Sequence, residues 1–188
     1  MSTILVDCDG VLASFTDAYL DLVYDVTGKR IDPNEVTNFK INRSPFFVEL
    51  EKTFPRLRQT IDRIITTDRH FVYSLALIDG AQDGLELLRE AGHRVVCVTS
   101  PWAGSEFWHH ERHDWLEDVM GFDTHNIIFA SDKSLVHGDY LIDDKVENLA
   151  EWSRCDARRK PILFDAPYNR DSKFPRAHTW EDVVRLCG

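Results

Sequence analysis

Short apolar, β-rich runs that each stop at a polar residue, with helical spacing between them, constrain this chain more than any other feature. Five runs stand out: Thr3 to Val6, Arg94 to Val98, Asn126 to Phe129, Tyr140 to Ile142 and Pro161 to Phe164. Continuous apolar runs, rather than alternating ones, suit strands covered on both faces, the burial found in parallel sheets. Helical spacing fills the intervals. Ala81 to Ala91 carries Leu85 and Leu88 and closes at Gly92, and Ser105 to Met120 carries Trp108, Trp115, Leu116 and Val119 and closes at Gly121. Val146, Leu149 and Trp152 follow the fourth run, and Thr179 is placed to cap a last helix bearing Val183, Val184 and Cys187. Strand then helix, repeated, predicts an α/β fold with a doubly wound parallel sheet of about five strands.

The alternation breaks once, between the first run and the helix at Ala81. Phe15, Ala18, Tyr19, Leu22, Val23 and Val26 form one amphipathic stripe that ends at Gly28. Ser44-Pro45 is a helix start, with a cap residue before proline at the first helical position, and Phe46, Phe47, Leu50 and Phe54 follow it. Pro55 interrupts, and Leu57, Ile61, Ile64 and Ile65 make a further stripe. This reading divides the chain into an α/β core, residues 1–13 and 78–188, and a small inserted helical cap, residues 14–77.

At 188 residues there is room for one well-buried core and a small insertion. Acidic residues outnumber basic ones, 32 against 22, and the formal charge of -10 repels a polyanion over most of the surface. That argues against a nucleic-acid polymer as partner. A small phosphorylated molecule still fits, because one metal ion and one lysine reverse the field locally. Cys8, Cys97, Cys155 and Cys187 show no CxxC spacing and follow no secretory signal, so the expected setting is reducing and cytoplasmic, and Asn42-Arg43-Ser44 has no export route to make it a glycosylation site. No stretch approaches the ~20 apolar residues that span a bilayer. His109 and His113 share a helix face, but Asp114 stands where a zincin pattern needs histidine, so a solvated face is expected. Asn169 and Arg170, after the fifth run, read as a surface loop.

Chemistry-bearing residues gather where the runs end: Asp7 and Asp9 after the first, Thr99 and Ser100 after the second, Lys133 after the third, Asp143 and Asp144 after the fourth. Ligands in an open α/β sheet bind at the carboxyl ends of the strands, so the four clusters converge. Phosphoryl transfer needs an in-line nucleophile, a cation for the equatorial oxygens, donors to hold them and an acid for the leaving oxygen. The clusters supply each. Taken singly, each has an ordinary reading as well: an Asx turn for Asp7 and Asp9, helix N-terminal carboxylates for Asp143 and Asp144, a solvated lysine, a turn cap.

Asp7-Cys8-Asp9-Gly10-Val11, Val98-Thr99-Ser100-Pro101, Asp132-Lys133 and Leu141-Ile142-Asp143-Asp144, in this order, resemble the four motifs of the haloacid dehalogenase superfamily of phosphatases, and within it the 5'(3')-deoxyribonucleotidases. The resemblance implies the haloacid dehalogenase fold and a Mg2+-dependent 5'-nucleotidase that hydrolyses deoxyribonucleoside monophosphates through an aspartyl-phosphate. It implies Asp7 as nucleophile, Asp9 as acid and then base, Thr99, Ser100 and Lys133 on the phosphoryl oxygens, and Asp143 orienting Lys133 or a metal-bound water. Mg2+ would be held by the Asp7 side chain, the Asp9 backbone carbonyl and Asp144, with Asp143 and Asp144 interchangeable in principle. Phe15, Phe46 and Phe47 match the aromatic residues with which the family's cap closes over the base. Trp102 stands where the family pattern is aliphatic, and Ser131 where it has arginine. The motifs fix the reaction and the cap fixes the substrate, so another small phosphate ester, such as a sugar phosphate, stays open beside the nucleotide. So does a non-catalytic phospho-ligand binder, although that class is expected to lack Asp7 or Asp9. The oligomeric state is open too, a homodimer included.

Overall fold

The computed structural model describes residues 1–188. Its centre is one parallel sheet of six strands: β1 (Thr3–Val6), β2 (Arg94–Thr99), β3 (Ile127–Phe129), β4 (Tyr140–Asp143), β5 (Lys160–Phe164) and β6 (Arg176–Ala177), in the order β3-β2-β1-β4-β5-β6. The sheet has one strand more than the five runs predict, because β6 is two residues long and too short to show any periodicity. The chain lays β2 and β3 on one side of β1 and β4 to β6 on the other, so the order reverses between β1 and β4. That switch point is where a doubly wound sheet opens a crevice at its carboxyl edge.

Successive side chains of each strand face opposite ways, and both faces are buried. Ile4, Val6, Val95, Cys97, Ile142 and Ile162 belong to the larger core, with α4 (Ala81–Glu90), α5 (Trp108–Asp118) and α7 (Trp180–Cys187). Leu5, Val96, Val98, Leu141 and Leu163 form the smaller one with Leu149 and Trp152 of α6 (Val146–Arg154). Gly138 lies so close to Leu5 that a Cβ there would meet its Cγ at 2.6 Å, which explains glycine just before β4. Helix α5 begins later than its apolar stripe predicts, since Ser105 Oγ takes the N–H groups of Phe107 and Trp108 in a turn. Thr179 does cap α7, accepting from the Asp182 N–H.

Between β1 and α4 run α1 (Phe15–Thr27), α2 (Pro45–Thr53) and α3 (Leu57–Thr67), each where its stripe predicts, with Gly28 in the left-handed conformation (φ 69°) closing α1. The chain leaves and re-enters at one place: Ser14 N–H donates to Ala76 O and Ile78 N–H to Leu12 O, both at 2.8 Å, across a bridge of Ala13 with Leu77. Tyr19, Leu20, Val23, Phe47, Leu57, Ile61 and Ile65 pack inside this segment and continue into the larger core. No helix is long and apolar enough to cross a membrane.

Candidate active site

The strand β1 ends because Asp7 turns its side chain to the crevice while its N–H still donates to Ile142 O of β4 at 2.9 Å. The backbone then doubles back through residues 8 to 13, with the N–H groups of Leu12 and Ala13 both on Cys8 O. Gly10 makes the turn possible. Its φ is +79°, and a Cβ there would sit 2.3 Å from Asp144 Oδ2, so any side chain would both strain the backbone and strike a neighbouring carboxylate.

Four charged groups meet behind this turn. Lys133, 2% exposed, reaches up from a short 3₁₀ turn that Asp132 caps, and its Nζ lies 2.7 Å from both Asp7 Oδ1 and Asp143 Oδ2. Asp143 is further held by the N–H of Lys145 at 2.8 Å and the side-chain amide of Asn148 at 2.9 Å. Asp144 Oδ2 accepts from the Tyr168 hydroxyl, and Asn169 Nδ2 donates to the Asp144 carbonyl and to Phe164 O. Two carboxylates therefore share one ammonium, and a third, Asp144, stands beside them without contact to it. Burial first, and Asp143 second, push the Asp7 carboxyl up to about 7, against the pull of Lys133. Asp144 is raised well above the carboxylate range by burial and then by Asp143 and Asp7. Burial alone would lower Lys133, but Asp143 and Asp7 together more than reverse it.

A dication fits this arrangement. One carboxylate oxygen from each of Asp7, Asp143 and Asp144 lies within 4.8 Å of the others, and Asp144 Oδ1 is buried with no hydrogen-bond partner. A buried carboxyl oxygen without a partner, among three acidic groups and a single ammonium, suits the hard oxygen donor set of a divalent cation.

A cavity of about 450 Å³ opens from this end. Asp7, Asp9, Ser100, Asp144 and Phe15 line it; Lys133 and Asp143 stand directly behind Asp7, and Thr99 is buried at the end of β2. Aromatic rings form one wall, with Trp102 5.7 Å from Phe15 and 5.6 Å from Trp108. Lys40, Asn42, Arg43, Arg58 and Asp62 form the far rim. Phe46 and Phe47 do not line the cavity. The stripe that marks α2 as amphipathic turns Phe47 wholly inward, where it packs against Tyr19 and Phe46.

Sequence reasoning missed several residues here. Tyr168 and Asn169 come from the loop after β5, which is not a plain surface loop: Asn169 is 3% exposed and ties that loop to Asp144. Nothing local marks them. Arg112 is different. Wholly buried, it donates to Asp9 Oδ1 at 2.5 Å, and it lies four residues after Trp108 on the very stripe that defines α5. A charge on an apolar stripe was the available signal. His109 and His110 are exposed, and His113 bonds Thr124, with no metal-like grouping among the three.

The profile of the family described as "5' nucleotidase, deoxy (Pyrimidine), cytosolic type C protein" matches residues 1–187. A Bordetella pertussis protein named as a candidate 5'(3')-deoxyribonucleotidase is 35% identical over 185 residues, covering 96% of this chain and 94% of that one. Among solved structures, a haloacid dehalogenase-like hydrolase of Burkholderia xenovorans LB400 superposes with a TM-score of 0.60 at 18% identity, covering 97% of this chain and 96% of that one. The hydrolase YfnB of Bacillus subtilis, solved bound to magnesium, superposes with a TM-score of 0.57 at 15% identity, covering 98% and 97%. At such identities the two structures speak for the fold.

Proposed function

We propose a reaction for this chain from one premise: it belongs to the deoxy (pyrimidine) cytosolic type C 5' nucleotidase family and is a phosphomonoester hydrolase of haloacid dehalogenase fold acting on nucleotides. The reaction proposed is hydrolysis of a deoxyribonucleoside 5'-monophosphate to nucleoside and phosphate, through an aspartyl-phosphate on Asp7 and with Mg2+ as cofactor. Residues 14–77 act as the cap that selects the substrate, and the setting is cytoplasmic.

The observation that carries the reading is the division of labour between the oxygens of Asp7. Oδ1 accepts from Lys133 and, at 2.7 Å, from the Cys8 N–H, whereas Oδ2 takes no hydrogen bond from the protein. The free oxygen attacks phosphorus in line with the ester oxygen; the Oδ2–P bond forms as the P–O bond to the nucleoside breaks, and Asp9 gives the departing oxygen its proton. Asp9 then takes a proton from water, which attacks phosphorus and releases Asp7 as a carboxylate. Thr99 and Ser100 hold the phosphoryl oxygens, and Lys133 balances the charge that develops on them. Mg2+, when bound, neutralises the phosphate and lets the anionic nucleophile approach it. Asp7, the Asp9 carbonyl and Asp144 would hold it, the orphaned Asp144 Oδ1 favouring that carboxylate over the fully engaged Asp143.

The aromatic wall supports a nucleotide over a sugar phosphate. Phe15 and Trp102 line the cavity with aromatic surface on which a base can pack, and a cavity of about 450 Å³ suits a small nucleotide. Phosphate release from deoxy- and ribonucleoside monophosphates, 5' and 3', and from sugar phosphates, each with Mg2+ and with chelator, tests it. Metal-dependent release is expected to peak on a deoxyribonucleoside 5'-monophosphate; release confined to sugar phosphates would overturn the substrate assignment.

A further inference from the structure

We infer that Arg112 is a positioning residue for the reaction: its guanidinium pins one oxygen of Asp9 and so leaves the other to exchange protons with the leaving group. The inference rests on the reading of Asp9 as acid and base. Arg112 reaches Asp9 from α5, 103 positions along the chain, with Nη2 2.5 Å from Oδ1 and Nη1 on Cys8 Sγ. Its side chain is 0% exposed, its Nε has no partner, and the rings of Trp108 and Trp115 flank its Cζ at 5.0 and 5.7 Å.

A guanidinium in such a place serves the core poorly. Stripping water from it is unfavourable, the two indoles return part of the loss through cation–π attraction, and Asp9 is its salt-bridge partner. A leucine or methionine would fill the same stripe position of α5 without that penalty. What arginine adds is direction. A planar fork gripping two consecutive side chains, Cys8 and Asp9, fixes the carboxylate rotamer and turns one oxygen away from use. With Oδ1 committed as acceptor to a guanidinium that does not deprotonate in proteins, Oδ2 is the oxygen left for the proton exchange. Asp9 lines the cavity with its side chain 29% exposed, and Oδ2 receives no bond from the protein. Arg112 itself does not line the cavity, so it acts through Asp9.

The experiment compares a leaving group that needs a proton with one that does not. A nucleoside leaves as an alkoxide unless protonated, whereas p-nitrophenyl phosphate releases a stabilised phenolate. The ratio of kcat/KM on a nucleoside monophosphate to kcat/KM on p-nitrophenyl phosphate, which covers the leaving-group step and not the hydrolysis of the shared aspartyl-phosphate, is therefore read for wild type, Asp9→Asn, Arg112→Met, Arg112→Lys and the Asp9→Asn/Arg112→Met double variant, with thermal melts alongside. Asp9→Asn is expected to lower the ratio by about 10²-fold, the scale of a lost general acid. An unchanged ratio there would sink the reading of Asp9, separately from Arg112. Arg112→Met is expected to lower the ratio at least about tenfold and to lower it no further in the double variant, since it works through Asp9. An equal fall on both substrates would mark Arg112 as structural and overturn the proposal. Arg112→Lys, which keeps the buried charge but not the fork, carries the test if the methionine variant does not fold. Its ratio is expected to fall part of the way, and a wild-type ratio would overturn the proposal.

Discussion

At the strand-end side of the cavity, Asp7, Lys133, Asp143 and Asp144 are all less than a tenth exposed and stand at the end of β4 or on turns that follow strands. At the far rim, Lys40, Arg43 and Arg58 are exposed, and the ion pair of Arg58 with Asp62 spans 3.5 Å one turn apart on α3. The inner groups are locked to one another by short bonds through a low-dielectric interior, where a charge without its partner is expensive. The rim groups keep much of their water, and a pair such as Arg58 and Asp62 contributes about 0.3 to 0.5 kcal/mol. On the proposed reading, chemistry stands where a change is felt most, and substrate selection where changes are tolerated.

The largest break in that contrast comes from the nucleophile. Asp7→Asn is expected to lower phosphate release by about 10⁴-fold or more while circular dichroism shows the fold retained, because an amide fills the same space but cannot form the covalent bond. Wild-type turnover in that variant would remove the aspartyl-phosphate from the mechanism. Next in size, Lys133→Met strips two buried carboxylates, Asp7 and Asp143, of their shared ammonium. Urea unfolding in chelator should show a loss of about 3 to 5 kcal/mol, and a loss below about 1 kcal/mol would mean the carboxylates are already neutral.

Metal binding sharpens the comparison further. In chelator, Asp7 has a folded pKa of about 7 against an ordinary 3.8, so between those values the folded protein holds a proton that the unfolded chain has lost. The contribution of this group to stability is present below about pH 4 and lost as pH rises through about 7. Melting temperature in chelator should fall across that window, less steeply in Asp7→Asn. Adding Mg2+ at pH 8 should restore stability, by about 2.7 kcal/mol at a hundredfold excess over Kd. No rise on addition would remove the cation from the site. The smallest effects belong to the other side. Trp102→Leu should raise KM for a nucleotide about five- to tenfold, the value of about 1 to 1.5 kcal/mol expected of a lost aromatic contact, with kcat little changed. Arg58→Ala should change either constant by less than about threefold; a fall in kcat as large as that of Asp7→Asn would erase the distinction between the two ends.

The sequence alone determined the parallel sheet, the order of the helices and the gathering of Asp7, Asp9, Thr99, Ser100, Lys133, Asp143 and Asp144 at strand ends. All of these follow from local rules: an apolar run makes a strand, a stripe makes a helix, and a doubly wound sheet brings its carboxyl ends together. The tertiary structure alone decided what those residues touch. Phe15 and Phe47 both lie on amphipathic helices, yet one lines the cavity and the other is wholly buried, because periodicity names a face and not what packs against it. Asp143 and Asp144 are neighbours in sequence, but the first ends β4 and bonds Lys133 while the second lies just past the strand and bonds Tyr168. Arg112 with Asp9, Asn169 with Asp144 and the two-residue β6 depend on contacts between distant parts of the chain, and no window of sequence contains both partners.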